Sequence, residues 1–259
     1  MVKSKVLRKL RSGDFFKFAA ISRVTDPWLA EFVGRLGLDA IWLDMEHRPF
    51  GYDVIGPISL ACRATGMDLM VRILKTGYST PMRVLEAGAN GIMVPHCRSV
   101  EEARQWVEWT RFYPIGRRGF DGAGVDADYM LAPPLEHLKH ANAETYLMLQ
   151  IEDREAVECI EEMVAVEGVD ILFIGPADLS ISYGLPLQVE HPEVQKAIDR
   201  VAAAAAKAGK WWGIPTGTPQ AAQRALDRGA RMVFCGSDHV SLVRGFQDVY
   251  EQCKDLKIH

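Results

Sequence analysis

A (β/α)8 barrel is the fold class this sequence predicts, and three observations predict it. Short β-branched and aliphatic runs alternate with longer stretches of helical period along almost the whole chain. There are eight such runs in 259 residues, close to the ~250 that eight strand–helix units usually need. No G-x-G-x-x-G follows any run, whereas the rival open doubly wound sheet usually carries that glycine-rich turn. The chain, 1–259, therefore reads as one barrel domain.

The strand-like runs fall at 16–22, 40–46, 69–72, 91–95, 146–152, 171–175, 211–215 and 232–236. Helix-like stretches lie near 26–37, 53–65, 80–88, 100–112, 153–166, 192–209, 219–229 and 239–255. Several open on good N-terminal signals, namely Asp26-Pro27, Ser79-Thr80-Pro81, Ser99 with Glu101 and Glu102, and Thr218-Pro219. Several stop at glycine, at Gly37, Gly66, Gly88, Gly209 and Gly229. The segment 113–144 breaks the rhythm with a start rich in glycine (Gly116, Gly119, Gly122, Gly124), and loops that long are usually functional or interfacial.

Composition bounds the function. With 48% apolar and 25% charged residues, the chain is neither disordered nor a disulfide-stapled miniature domain. Thirty basic against 34 acidic residues leave a net charge of −4, and no block of five lysines or arginines occurs, so nothing suggests nucleic-acid binding. The five cysteines are scattered without a C-x-x-C pair and are expected to pack as reduced thiols. Residues 1–11 are basic but lack a signal peptide's apolar run, and no stretch of about 18 apolar residues exists, so a cytoplasmic protein with no membrane partner is expected. His96 reads as a loop or interface residue, His137 and His140 as a solvated helix face, and Trp211-Trp212 as barrel core.

Side chains of a barrel strand alternate between the lumen and the helix layer, and active sites gather at the C-terminal strand ends. In the fifth run Leu147, Leu149 and Ile151 suit the helices, while Met148, Gln150 and Glu152 form a lumen face that grows more polar toward its end. The second run repeats this with Trp42, Asp44 and Glu46, then His47; the third pairs Met70 with Arg72; the sixth leads through Gly175-Pro176-Ala177 to Asp178. Asp44, Glu46, Glu152 and Asp178 would converge on one mouth, with Arg72 and His47 as local positive partners. Desolvating an unpaired carboxylate costs several kcal/mol, so a cation is expected there, and oxygen ligands point to a hard divalent ion such as Mg²⁺ or Mn²⁺.

The segments Leu43-Asp44-Met45-Glu46-His47, Val71-Arg72, 91–95, Gln150-Ile151-Glu152-Asp153-Arg154 and 168–180 together resemble the HpcH/HpaI aldolase family, in order and over about residues 15–250. That resemblance implies a class II pyruvate aldolase on a phosphoenolpyruvate-mutase-type barrel, cleaving a 4-hydroxy-2-oxo-acid or 2-keto-3-deoxy-acid reversibly to pyruvate and an aldehyde. It implies that Glu152 and Asp178 hold the divalent ion (Mg²⁺, Mn²⁺ or Co²⁺), that Arg72 steadies the enolate, and that His47, held by Asp44, is the acid/base. It further implies that Gln150 and the backbone at Gly175, Pro176 and Ala177 place the pyruvyl carboxylate. Glu86 falls where the family carries an acidic residue that approaches the aldehyde from a neighbouring subunit. A homohexamer, a trimer of dimers that exchange their C-terminal helix (238–254), is also implied. The loop 116–130 and Pro215-Thr216 depart from the family's pattern and should contact the aldehyde end.

No lysine lies in the fifth or sixth run, so a Schiff-base route lacks its nucleophile. Two rivals stay open. One is a citrate-lyase-like CoA-ester lyase or phosphonate mutase on the same barrel, with Arg117-Arg118 as the compact basic candidate for a nucleotide. The other is a catalytically silent barrel acting as a binding subunit.

Overall fold

The structure, a computed structural model, describes residues Met1–Lys257. Eight strands alternate with helices in the expected order: α1 (Lys5–Arg11), β1 (Phe16–Ala20), α2 (Pro27–Arg35), β2 (Ala40–Asp44), α3 (Ile55–Thr65), β3 (Asp68–Arg72), α4 (Ser79–Glu86) and β4 (Gly91–Val94). Then come α5 (Val100–Thr110), α6 (Pro134–Glu144), β5 (Tyr146–Ile151), α7 (Arg154–Glu158), α8 (Ile160–Val164), β6 (Ile171–Ile174) and α9 (Pro176–Ser182). The chain continues with α10 (Pro192–Lys207), β7 (Trp211–Gly213), α11 (Pro219–Asp227), β8 (Met232–Ser237) and α12 (Asp238–Cys253). All seven strand pairings are parallel, in the order β8-β1-β2-β3-β4-β5-β6-β7. At the remaining seam the Arg231 amide donates to the Trp212 carbonyl at 2.9 Å, so the barrel is nearly closed.

The two faces of each strand feed two apolar layers. Leu147, Leu149 and Ile151, with Ile41, Leu43, Leu69 and Val71, pack outward against the helices. Inside, Phe16, Phe18, Met70, Met93, Tyr146, Met148 and Phe173 fill the lumen. Parallel register stacks these lumen residues in tiers, because Trp42 lies opposite Met70 and Met93 opposite Met148. One tier higher, Asp44 lies opposite Arg72 and Gln150 opposite Phe173. The β2, β3 and β5 columns thus pass from apolar to polar as they near the C-terminal rim.

Three features of the fold depart from the sequence reading. First, α1 was not expected; it inserts Val6, Leu7 and Leu10 into the lumen layer and stoppers the base of the barrel. Its first turn rests on Asp68, which accepts hydrogen bonds from the Ser4 hydroxyl and from the amides of Lys5 (2.8 Å) and Val6 (3.2 Å). Second, the stretch 153–166 is two helices, because Cys159 leaves helical geometry (φ −112°, ψ 20°) between α7 and α8. Third, 113–144 ends in α6, and the rest of it packs along the outside of α4 and α5. There the Gly119 amide donates to the Tyr78 hydroxyl at 2.6 Å and the Val125 amide to the Glu86 carbonyl at 3.2 Å. Among the described residues, no helix is long and apolar enough to cross a membrane.

Burial pushes the Asp68 carboxyl up to about 6, against the hydrogen bonds from Ser4, Lys5 and Val6. A folded-state value above the ordinary 3.8 means the folded protein binds this proton more tightly, so Asp68's contribution is full below about 3.8 and is lost as pH rises through about 6. Replacing Asp68 by Ala also strands three donors at the base, at roughly 1–3 kcal/mol each. Asp68→Ala is therefore expected to lower urea-unfolding stability by several kcal/mol, with a deficit against wild type that is larger at pH 5 than at pH 7.

Candidate active site

At the rim, the β2–β3 register dictates the first interaction. Asp44 and Arg72 are opposite one another on the lumen face, and Arg72 donates from Nε to Asp44 Oδ1 (2.9 Å) and from Nη2 to Oδ2 (2.8 Å). Its Nη1 lies 3.1 Å from Glu46 Oε2, and its flat face sits 4.8 Å from the centre of the Trp42 ring. The guanidinium is held at all three nitrogens and on one face, yet Nη1 and Nη2 each keep a second N–H for another acceptor. Burial opposes ionisation of Asp44, but the Arg72 hydrogen bonds outweigh it and keep the carboxyl below its usual range.

This pairing corrects one expectation. Asp44 does not hold the His47 imidazole: Arg72 takes both its oxygens, and His47 reaches Asp44 only through its backbone N–H, 3.3 Å from Oδ1. His47 lies beyond the end of β2, its side chain 59% exposed and its Nε2 3.7 Å from Glu46 Oε2. The residue beside the imidazole is Glu46, itself tied to Arg72.

Glu152 follows β5 directly and is only 1% exposed. Its Oε1 accepts the His96 amide at 2.8 Å, and its Oε2 accepts the Gln150 side-chain amide at 2.5 Å. Burial raises its carboxyl, the His96 contacts lower it, and the charges of Asp178 and Glu46 raise it further; the net direction is upward. Asp178 stands in the first turn of α9 with its side chain exposed, near enough for its charge to act on Glu152. Gly175, which links β6 to α9, makes this packing possible: a Cβ there would fall 2.3 Å from Glu152 Oε2. Pro176 opens α9, and the amides of Ala177 and Asp178 in its first turn have no helical partner to donate to.

The donor set suits a hard divalent ion. Arg72 brings one positive charge against the two carboxylates of Asp44 and Glu46, so none is left over for Glu152 and Asp178, and the mouth keeps a surplus of negative charge. The buried Gln150 Oε1 beside them has no hydrogen-bond partner. Among the described residues no group of three or more His, Cys, Asp or Glu side chains is placed to hold a metal ion, so these two carboxylates are the ligands of that kind that the rim offers. Two carboxylates with open positions for substrate and water are the catalytic rather than the structural pattern.

Two expected participants lie elsewhere. Glu86 ends α4, at the opposite end of the barrel from its own chain's mouth, where Arg118 and Asp126 surround it; burial raises its carboxyl. The loop 116–130 flanks the outside of α4 and α5. Pro215 and Thr216, by contrast, line one cavity with Pro176, Val189, Ile214 and Arg224. The sequence reading passed over His96, which sits beside Glu152, and His137, which is not solvated but buried against Phe112, with Asp126 3.7 Å from its Nε2.

Residues 21–245 match the family model described as HpcH/HpaI aldolase/citrate lyase. A 2-keto-3-deoxy-L-rhamnonate aldolase of Klebsiella pneumoniae is 34% identical over 83% of this chain and 80% of its own length. A 4-hydroxy-2-oxo-heptane-1,7-dioate aldolase of Shigella sonnei is 33% identical over 85% and 84%. Among solved structures, an HpcH/HpaI aldolase from Desulfitobacterium hafniense superposes with a TM-score of 0.92 at 30% identity, covering 97% of both chains.

The close approach at Gly175 generates a test. Gly175→Ala is expected to displace the Glu152 carboxylate and weaken Mn²⁺ binding by at least about tenfold, read by titration calorimetry. Its thermal midpoint should stay within a few degrees of wild type; unchanged Mn²⁺ affinity would mean the contact carries no role.

Proposed function

The chain belongs to the HpcH/HpaI aldolase/citrate lyase family, and on that footing we propose that its β5–β6 rim is the metal-assisted site of an aldolase. The substrate class is a 4-hydroxy-2-oxo-acid or 2-keto-3-deoxy-acid, released as pyruvate and an aldehyde. The observation that carries this reading is the buried Glu152 carboxylate, on which the charges of Asp178 and Glu46 act and which pairs with no arginine or lysine among the described residues, at the strand ends that also hold Arg72 fixed.

Glu152 and Asp178 would hold the divalent ion, which when bound polarises the 2-keto group. Cleavage breaks the C3–C4 bond: the C4 hydroxyl loses its proton, its oxygen becomes the aldehyde carbonyl, and the bonding pair moves into the pyruvate enolate. Arg72 directs its two spare N–H groups to the oxygen that gains charge, and because Asp44, Glu46 and Trp42 have already fixed it, no reorganisation is needed. His47 takes the C4 proton; its position beside Glu46 and open to solvent lets it exchange that proton with water. The pyruvyl carboxylate is placed by Gln150 and by the first-turn amides of α9 after Gly175 and Pro176. Pro215 and Thr216 line the aldehyde side.

One rival loses its footing. A CoA-ester lyase looked to Arg117-Arg118 for a basic groove, but Arg118 is buried against Asp126 at 2.6 Å and Arg117 pairs with Glu108 at 3.3 Å. The assembly is proposed to be a homohexamer of helix-exchanging dimers. In support, α12 buries only Asp238 and leaves Val240, Leu242, Val243, Phe246 and Val249 exposed beside a groove lined by Trp28 and Phe32. In such an assembly Glu86 can serve a neighbour's mouth. The unpaired thiols suit a cytoplasmic setting.

Pyruvate release from a 4-hydroxy-2-oxo-acid is expected to require Mg²⁺, Mn²⁺ or Co²⁺ and to vanish on chelation; activity that survives EDTA refutes the metal-assisted mechanism. Arg72→Ala and His47→Ala are each expected to lose more than roughly 100-fold in rate. A panel of aldehydes offered with pyruvate, scored by carbon–carbon bond formation, identifies the second substrate.

A further inference from the structure

His96 is a rim residue whose backbone is strained. It sits directly after β4 with φ 46°, in the left-handed region that a non-glycine residue enters at a cost. Every polar group it offers to neighbouring strands is engaged. Its amide donates to Glu152 Oε1 at 2.8 Å, its Nδ1 donates to Asp153 Oδ2 at 2.9 Å, and its carbonyl accepts from Lys75 Nζ at 2.7 Å. The two anchors are themselves tied down, since Asp153 Oδ1 meets Arg98 Nη2 at 3.1 Å and Lys75 meets Glu102 at 2.5 Å. The side chain is one-third exposed at the mouth, so packing alone does not hold it.

We propose that His96 is a positioning residue for the ion site: its N–H holds one oxygen of Glu152 and so fixes the direction of the other, while its left-handed φ turns the chain beyond that N–H so that the imidazole meets Asp153 and the carbonyl meets Lys75, bonds that pin the peptide and offset the strain. This rests on reading Glu152 as a ligand of the divalent ion. An extended residue 96 would carry the imidazole and the carbonyl away from Asp153 and Lys75, let the preceding peptide tilt and weaken the N–H bond to the buried Glu152 Oε1. Glu152 would then be held by the Gln150 amide at Oε2 alone, and the cost would appear in ion affinity rather than in binding of the keto-acid.

The test compares His96→Val with His96→Asn in the full-length protein, using Mn²⁺ alone as the calorimetric probe. Valine is β-branched and resists the left-handed conformation, whereas asparagine tolerates it. His96→Val is expected to weaken Mn²⁺ binding about tenfold or more, and His96→Asn to stay within about threefold of wild type. At saturating Mn²⁺ the His96→Val variant should recover its kcat with an unchanged KM for the keto-acid, which a misfolded or merely loosened variant would not do. Equal Mn²⁺ affinity in wild type and His96→Val overturns the inference and leaves the ion site standing. Absence of Mn²⁺ binding by the wild type overturns both.

Discussion

The salt bridge between Asp44 and Arg72 is the constraint on which the rest of the mouth depends. It joins adjacent strands at matched register, so its geometry is set by the backbone ladder rather than by flexible loops. With Asp44 forked onto Nε and Nη2, and Glu46 at Nη1, the guanidinium is committed to β2 and forms no ion pair with Glu152. The carboxylate at the end of β5 is held instead by the His96 and Gln150 amides. A lysine in place of Arg72 could not make the same fork, because it offers a point charge rather than a planar pair of donors.

Much of this was legible in the sequence because a barrel strand reports its own orientation. The alternation in Leu147–Ile151 and in Ile41–Asp44 separates lumen from helix layer without further information, and both layers are composed as that alternation requires. What escaped was settled by distant contacts. The helix α1 is only seven residues long, too short for periodicity to announce it, and it is held by Asp68 more than sixty positions away. His47 lies three residues from Asp44 and looked like its natural partner, while the true partner is twenty-eight residues away and one strand over. His96 gave no signal because its use of a backbone N–H carries no residue-type signature.

The burial of His137 shows a different limit. Its spacing with His140 suggested a solvated face, yet it lies under Phe112 with Arg118 and Asp126 close by. Burial lowers its tendency to take a proton, against the opposite pull of the Asp126 charge. Only the fold of the loop between α5 and α6, whose Arg118 amide returns to the Arg111 carbonyl, brings these groups together.

The stopper formed by α1 has a consequence for traffic. With the lumen filled by Val6, Leu7, Leu10 and the aromatic tiers above them, the barrel is a vessel with one opening rather than a tube. Reactants, products and protons must all cross the same threshold, so whatever lodges nearest the lip leaves before whatever lies beneath it. A keto-acid seated as proposed, against the buried Gln150, would be the deeper occupant and the last to leave.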